Sequence, residues 1–235
     1  MKPIDLNSLK NYLDLGYFSS SPGTRRSIKR NIANKMRAWE LSYDYYDGDR
    51  DDGYGGFTFD DRWNAYLHKL FISTNLISSA NPNLSVLDVG CKKGFLLQSL
   101  RKLYPNVYSV GVENHRYPLS VADSSIKSRL LLSEYYNLPF EDHCFDLVIA
   151  FSSIYMYNLK GVINSIREIQ RVSSNTSYIS LAAYNHDWEK DIFMNWTLLG
   201  TTCLHISEWL DIFNDLNYTG YYVFTTPTLL GFSND

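Results

Sequence analysis

The sequence predicts an α/β fold: a mostly parallel sheet with helices on both faces, preceded by a helical and loop-rich extension. Three observations carry this. From residue 84 onward, short β-type runs alternate with helical ones. The run 145–151 is nearly all apolar, as a strand covered on both faces should be. The run Val86–Val89 passes through a glycine turn directly into a helical stretch, the junction that a right-handed crossover between parallel strands requires.

The elements follow in order. Residues 1–80 form the predicted extension. Ile28, Ile32, Met36 and Trp39 recur at near-helical spacing over 25–40, with Arg25, Arg26, Lys29, Arg30, Lys35 and Arg37 on the other face. Glycines at 48, 53, 55 and 56 then make a loop with unusual backbone freedom. A second amphipathic helix over 61–79 lines up Trp63, Tyr66, Leu67, Leu70 and Phe71. Residues 81–235 form the sheet domain. Its predicted strands are 86–89, 107–112, 129–133, 145–151, 178–183 and 221–225. Its helices are 94–104 closed by Pro105, a stretch near 118–127, 159–172, and 207–216 opening with Ser207 as N-cap. In such sheets ligands bind beyond the carboxyl ends of the strands, so functional residues should follow each strand.

Composition narrows the classes. At 45% hydrophobic and 20% charged residues, the chain is expected to be soluble and globular. A net charge of −3 gives no long-range attraction for nucleic acid or an anionic membrane. Cys91, Cys144 and Cys203 are an odd, widely spaced set without a CxxC pair, which argues against a disulfide framework and against a metal site. The first residues lack the apolar region of a signal peptide, and no apolar run approaches the ~18 residues that spanning a bilayer requires. A cytoplasmic protein without a membrane partner is expected. The 19 tyrosines suit ligand pockets and core packing equally.

The chemistry concentrates at the strand ends. Asp88-Val89-Gly90-Cys91-Lys92-Lys93-Gly94 places an acid and two glycines where an apolar strand turns into a helix. Strand two ends in Glu113, a carboxylate 19 residues after Gly94 that can accept from ribose hydroxyls. The third segment runs Ser133-Glu134-Tyr135-Tyr136-Asn137-Leu138-Pro139-Phe140-Glu141-Asp142-His143-Cys144-Phe145-Asp146. Together, over roughly 84–183, these resemble the class I S-adenosylmethionine-dependent methyltransferases, closest to the small-molecule branch called methyltransferase type 11. Residues 47–56, 195–196, 208–209 and 217–220 are also similar to the flanks of one bacterial subgroup.

The resemblance implies a Rossmann-like fold and S-adenosylmethionine as cofactor. It assigns Asp88, Gly90, Gly94, Glu113 and Phe151 to cofactor binding. It also implies that Glu134 accepts from the adenine amino group while the Tyr135 amide faces the ring. Taken alone, Glu134 reads equally well as a solvated carboxylate. Two departures stand out. Lys92 replaces the middle glycine of the turn; its stem is expected to point to solvent. Tyr155 stands in a segment where relatives often carry His; with an ordinary pKa near ~10 it is a poor base but can position a nucleophile. His186, after strand five, is the better base candidate, and a surface loop histidine is the plain alternative.

The expected function is methyl transfer to an O or N atom of a small metabolite, such as a sugar or sugar-nucleotide, with the Trp-rich region 188–209 forming the acceptor pocket. Residues 45–63 are expected to act as a lid, with Tyr54, Arg62 and Trp63 facing the pocket. A catalytically silent cofactor-binding module is the competing class, prompted by Lys92 and the missing histidine. An NAD(P) oxidoreductase is disfavoured by the turn, which lacks Gly-x-Gly-x-x-Gly. A nucleic-acid methyltransferase is disfavoured by the charge and by the absence of an Asn/Asp-Pro-Pro-Tyr/Phe motif.

Overall fold

The computed structural model describes residues 2–16, 40, 43–47, 58–76 and 84–234. The predicted helix over 25–40 and the glycine loop from residue 48 to 56, Tyr54 included, lie outside these, apart from Glu40.

The seven strands are β1 (Ser85–Val89), β2 (Tyr108–Glu113), β3 (Leu130–Leu132), β4 (Phe145–Ala150), β5 (Ser173–Tyr184), β6 (Leu204–His205) and β7 (Tyr221–Thr225). Their order is β3-β2-β1-β4-β5, and the far edge of β5 is shared. Tyr178–Ala182 pair with β7, while Ala183–Tyr184 pair with β6. Every pairing among the described strands is parallel. Strand order reverses between β1 and β4, which fixes the crevice at the carboxyl ends of β1, β2 and β4. This is the parallel, helix-flanked α/β sheet that the alternation of elements predicted.

The helices are α1 (Tyr43–Tyr46), α2 (Arg62–Ser73), α3 (Phe95–Leu103), α4 (Arg116–Ser120), α5 (Leu159–Val172), α6 (Asp187–Trp196) and α7 (Ile206–Asp215). Side chains alternate across the pleat. Leu87, Val89, Val148 and Ala150 meet Val162, Ile166 and Ile169 of α5 and Trp209 and Phe213 of α7. Val86, Leu147 and Ile149 meet Tyr66, Leu67, Leu70 and Phe71 of α2 and Leu96, Leu97 and Leu100 of α3. The two layers enclose a sheet with almost no exposed face.

Three sequence expectations need correction. The helix expected near 118–127 is only the five residues of α4. It stops at Ser120 with Val121 as its C-cap, and further on the Asp123 carboxylate accepts from Ser125 N at 2.8 Å, a local turn that does not continue a helix. Helix α7 is capped by His205 rather than Ser207, with His205 Nδ1 accepting from Ser207 N at 3.1 Å. The Trp-rich region is mostly core. Trp209 is fully buried and donates from Nε1 to Ala182 O at 2.9 Å, and Trp196 is 3% exposed.

Helix α6, which the sequence did not announce, is held by Glu189. This fully buried carboxylate accepts from Asn185 N (2.6 Å), His186 N (3.0 Å), Thr228 N (3.1 Å) and the Thr228 hydroxyl (2.6 Å). It thereby ties the end of β5 to the turn after β7. Removing it strands four donors in a dry site. Glu189→Ala should cost about 2–4 kcal/mol of stability, read as a lower urea midpoint at unchanged m-value.

Candidate cofactor site

The site starts from the turn after β1. Gly90 N and Cys91 N both donate to Val112 O, at 2.8 and 3.0 Å, so the turn is stapled to the end of β2. Gly90 has φ +82°, and a Cβ there would sit 2.2 Å from Ser153 Cβ. Only glycine fits, and the close neighbour is the protein itself. Gly94, φ +79°, sits outside the first turn of α3 as its N-cap. Lys92 holds φ +53°, the left-handed region that costs a side chain roughly 1 kcal/mol or more. The turn survives the missing glycine by bearing that strain. The Lys92 amide donates to Glu113 Oε2 at 2.9 Å, which offsets part of it.

The Lys92 side chain does not extend freely into solvent as expected. It is half-buried, and burial lowers its pKa against the opposing pull of Glu113 and Asp88. Asp88 is itself buried. Desolvation pushes its carboxyl up to about 7, with Lys92 pulling it down and Glu113 pushing it further up.

Glu113 is the centre of the site. It is 1% exposed at the last position of β2. Its Oε2 takes the Lys92 amide, while Oε1 accepts from Asn114 N at 3.1 Å and from the Tyr135 hydroxyl at 3.0 Å. Burial raises its pKa, and these donors together with the Lys92 charge counter the rise. Tyr135 is itself 1% exposed; burial and the Glu113 charge hold its phenol well above the ordinary value, so it remains a donor.

Tyr157, which sequence reasoning passed over in favour of Tyr155, joins this group. Its hydroxyl donates to Glu134 Oε2 at 2.5 Å, accepts from Asn114 Nδ2 at 3.0 Å, and lies 3.4 Å from Tyr135 N. Its ring meets those of Tyr135 and Tyr136 edge-on, with centroids at 5.5 and 5.2 Å. The available signal was the concentration of tyrosines around the strand ends; which of them converged depended on loops 22 residues apart in the chain. Beside them an open cavity of about 550 Å³ is lined by Asn114, His115, Arg116, Tyr117, Ser120 and Leu132.

The extension reaches the same place. Tyr45 and Tyr46 of α1 are buried with Leu198 and Leu199, against Phe95, Tyr117 and Met156. The Tyr46 ring stacks on Tyr117 at 6.1 Å, and Glu113 is among the charges that raise its pKa. Asp47 pairs with the buried ammonium of Lys93 and accepts from the Tyr117 hydroxyl at 2.9 Å. Trp63 meets Phe151 edge-on at 5.7 Å, at the carboxyl end of β4. Arg62 has its carboxylate partner in Asp60 (2.5 Å) and is half exposed. The predicted catalytic residues lie apart from the Glu113 group. Tyr155 is buried in an aromatic cluster against Phe193, and exposed His186 lies nearly parallel to Trp188 with ring centroids 6.3 Å apart. Among the described residues there is no group of three metal-ligating side chains, and no helix is long and apolar enough to cross a membrane.

A glycine turn closed on β2, a buried carboxylate at the end of that strand, and a crevice at the reversal of strand order are features of a Rossmann-like fold. The comparisons place it in a family. The family model described as a methyltransferase domain matches residues 80–219, more than half of the chain, and the chain belongs to that family of S-adenosylmethionine-dependent methyltransferases. A malonyl-[acyl-carrier protein] O-methyltransferase of Legionella pneumophila is 27% identical over 131 residues, covering 54% of this chain and 45% of that protein, so the match spans under half of the relative's length. Two solved structures share the fold. The YcgJ protein of Bacillus subtilis is 21% identical, with a TM-score of 0.50 over 64% of this chain and 68% of its own. The methyltransferase complex of Haloferax volcanii with the Trm112 activator is 20% identical, with a TM-score of 0.52 over 80% and 76%.

The residues present fit S-adenosylmethionine in chemistry. Glu113, buried at the end of β2 beside the glycine turn, already accepts from a hydroxyl, the donor type a ribose offers.

Asp88 gives a pH test. Its folded pKa of about 7 lies above the ordinary carboxyl value, so the folded state binds the extra proton. The stability this contributes is complete below about pH 4 and is lost as pH rises through about 7. Asp88→Asn should flatten the fall in urea midpoint between pH 5 and 8. Lys92→Gly should leave the protein folded and move the Asp88 titration upward, because it removes the positive charge that opposes protonation; carboxyl-carbon NMR reads the shift.

Proposed function

We propose that the chain transfers a methyl group from S-adenosylmethionine to an O or N atom of a small metabolite. The observation that carries this is the buried Glu113 carboxylate at the end of β2, facing a hydroxyl donor beside the glycine turn. Bound there, the sulfonium supplies an activated methyl group for in-line displacement. Glu113 would hold the ribose, with Gly90 and Gly94 setting the turn and Asp88 lying beneath it. Glu134 and the Tyr135 amide would receive the adenine, and Phe151 would close the floor at β4. A protein performing such a displacement mainly aligns the nucleophile and excludes water.

The described ends of the 45–63 stretch suit that second task. Tyr46 and Asp47 sit against the glycine turn and α4, and Trp63 covers Phe151. We take residues 1–80 as the extension that covers a domain spanning 81–235. His186 is the proposed proton acceptor for a hydroxyl or amine, with Trp188 holding its ring, and Tyr155 a residue that orients the acceptor. The Legionella relative is an O-methyltransferase by name, which favours oxygen as the acceptor atom. The crowding of the crevice by tyrosines favours one competing reading, a catalytically silent module, which a search for turnover decides.

Calorimetry should show binding of S-adenosylhomocysteine and far weaker binding of NAD. Glu113→Ala should weaken S-adenosylhomocysteine binding by roughly 1.5–3 kcal/mol, the range for hydrogen bonds to a charged group. Tight NAD binding without S-adenosylhomocysteine binding would overturn the reading, and an unchanged dissociation constant in the variant would remove Glu113 from the site.

A further inference from the structure

We propose that two tyrosines of this chain, Tyr135 and Tyr157, occupy the hydrogen-bond positions of the adenosine, so that the cofactor must displace them to enter. This rests on the reading of the crevice as a cofactor site.

The count of acceptor sites makes the argument. A carboxylate offers about four lone-pair directions. Three of those on Glu113 are taken, by Lys92 N, Asn114 N and the Tyr135 hydroxyl. The two amides are fixed by the backbone ends of β1 and β2. A ribose diol needs two acceptor positions, and one is left, so Tyr135 is the donor that must leave. It also lies at the turn itself: its hydroxyl is 3.4 Å from where a Gly90 Cβ would be, on the side that Ser153 fills. The base end repeats the pattern. Glu134 and the Tyr135 amide, the pair set to meet an adenine, both converge on the Tyr157 hydroxyl, at 2.5 and 3.4 Å.

The extension reinforces the closed state. Tyr46 is buried beside the same group, and the contacts of Asp47 with Lys93 and Tyr117 hold α1 across the crevice. Tyr135 and Glu113 are each 1% exposed, so a ligand meets the pair only after the tyrosine swings out. Apparent affinity is then the intrinsic affinity reduced by the open fraction.

The test is stopped-flow and calorimetric binding of S-adenosylhomocysteine to the full chain. The observed association rate in the unsubstituted protein should level off as ligand rises, because opening becomes limiting. Tyr135→Phe keeps the ring and removes the donor. It should tighten binding roughly tenfold or more, the worth of one hydrogen bond to a charged group, through faster association at unchanged dissociation. Asp47→Asn should speed association in the same direction. Tyrosine-ring carbon NMR of the unsubstituted protein should show the Tyr135 and Tyr157 resonances moving on ligand addition. Unchanged resonances, a linear association rate, or a Tyr135→Phe protein that binds no tighter would overturn the proposal while leaving the cofactor reading intact. Failure of every protein to bind at millimolar ligand would overturn both.

Discussion

Two backbone amides converge on one buried carboxylate: Lys92 N and Asn114 N on Glu113. Parallel strands cannot be joined by a tight hairpin, so the ends of β1 and β2 have no covalent reason to stay in register at the crevice. The carboxylate provides one, assisted by Val112 O, which takes both Gly90 N and Cys91 N. Everything the site needs follows from that junction. The turn is held closed, α3 starts in a fixed direction, and an acceptor remains pointed at the crevice. The electrostatic cost is visible in the neighbours. Asp88, Glu113 and Lys92 all have pKa values displaced in the direction that burial demands.

How much of this was legible in the sequence depends on the range of the interaction concerned. The placement of Asp88, Gly90, Gly94 and Glu113 at the ends of β1 and β2 could be read because strand ends are marked by local apolar runs. The extent of β7, Tyr221–Thr225, could be read because it too is a local apolar run. The stretch near 118–127 misled because, after α4 stops at Ser120, Asp123 closes a local turn that periodicity does not weigh. The cap of α7 was misplaced by two residues because His205 caps through its ring nitrogen, a role that Ser207 fills more often. Tyr157 could not be found, since its partners Asn114, Glu134 and Tyr135 come together only once three loops have been placed. Trp209 misled in the opposite direction. A tryptophan near a presumed pocket resembles a ligand contact, and only its bond to Ala182 O shows that it serves the core.

The extension has a dual character in the same terms. Its α2 is an ordinary part of the core, with Tyr66, Leu67, Leu70 and Phe71 buried against the sheet. Its α1 is four residues long, with Tyr45 and Tyr46 buried against Leu198 and Leu199 and with an ion pair and a phenol contact at Asp47. The extension thus contributes both to the core under the sheet and to the aromatic cluster beside the crevice.

The segment ahead of both has a different consequence. Leu13 N donates to Tyr222 O and Tyr222 N to Asn11 O, at 2.9 and 3.1 Å, so a stretch from the beginning of the chain lies along the outer edge of β7. Tyr12 packs its ring against Tyr222 and Phe224. An open strand edge is a template for another chain, and here the molecule fills its own. The opposite edge, β3, is protected differently: it is only three residues long, with Leu131 and Leu132 exposed. Self-association through the sheet is thus discouraged by occupancy at one end and by brevity at the other, and loss of the first dozen residues would open the longer edge to a neighbouring molecule.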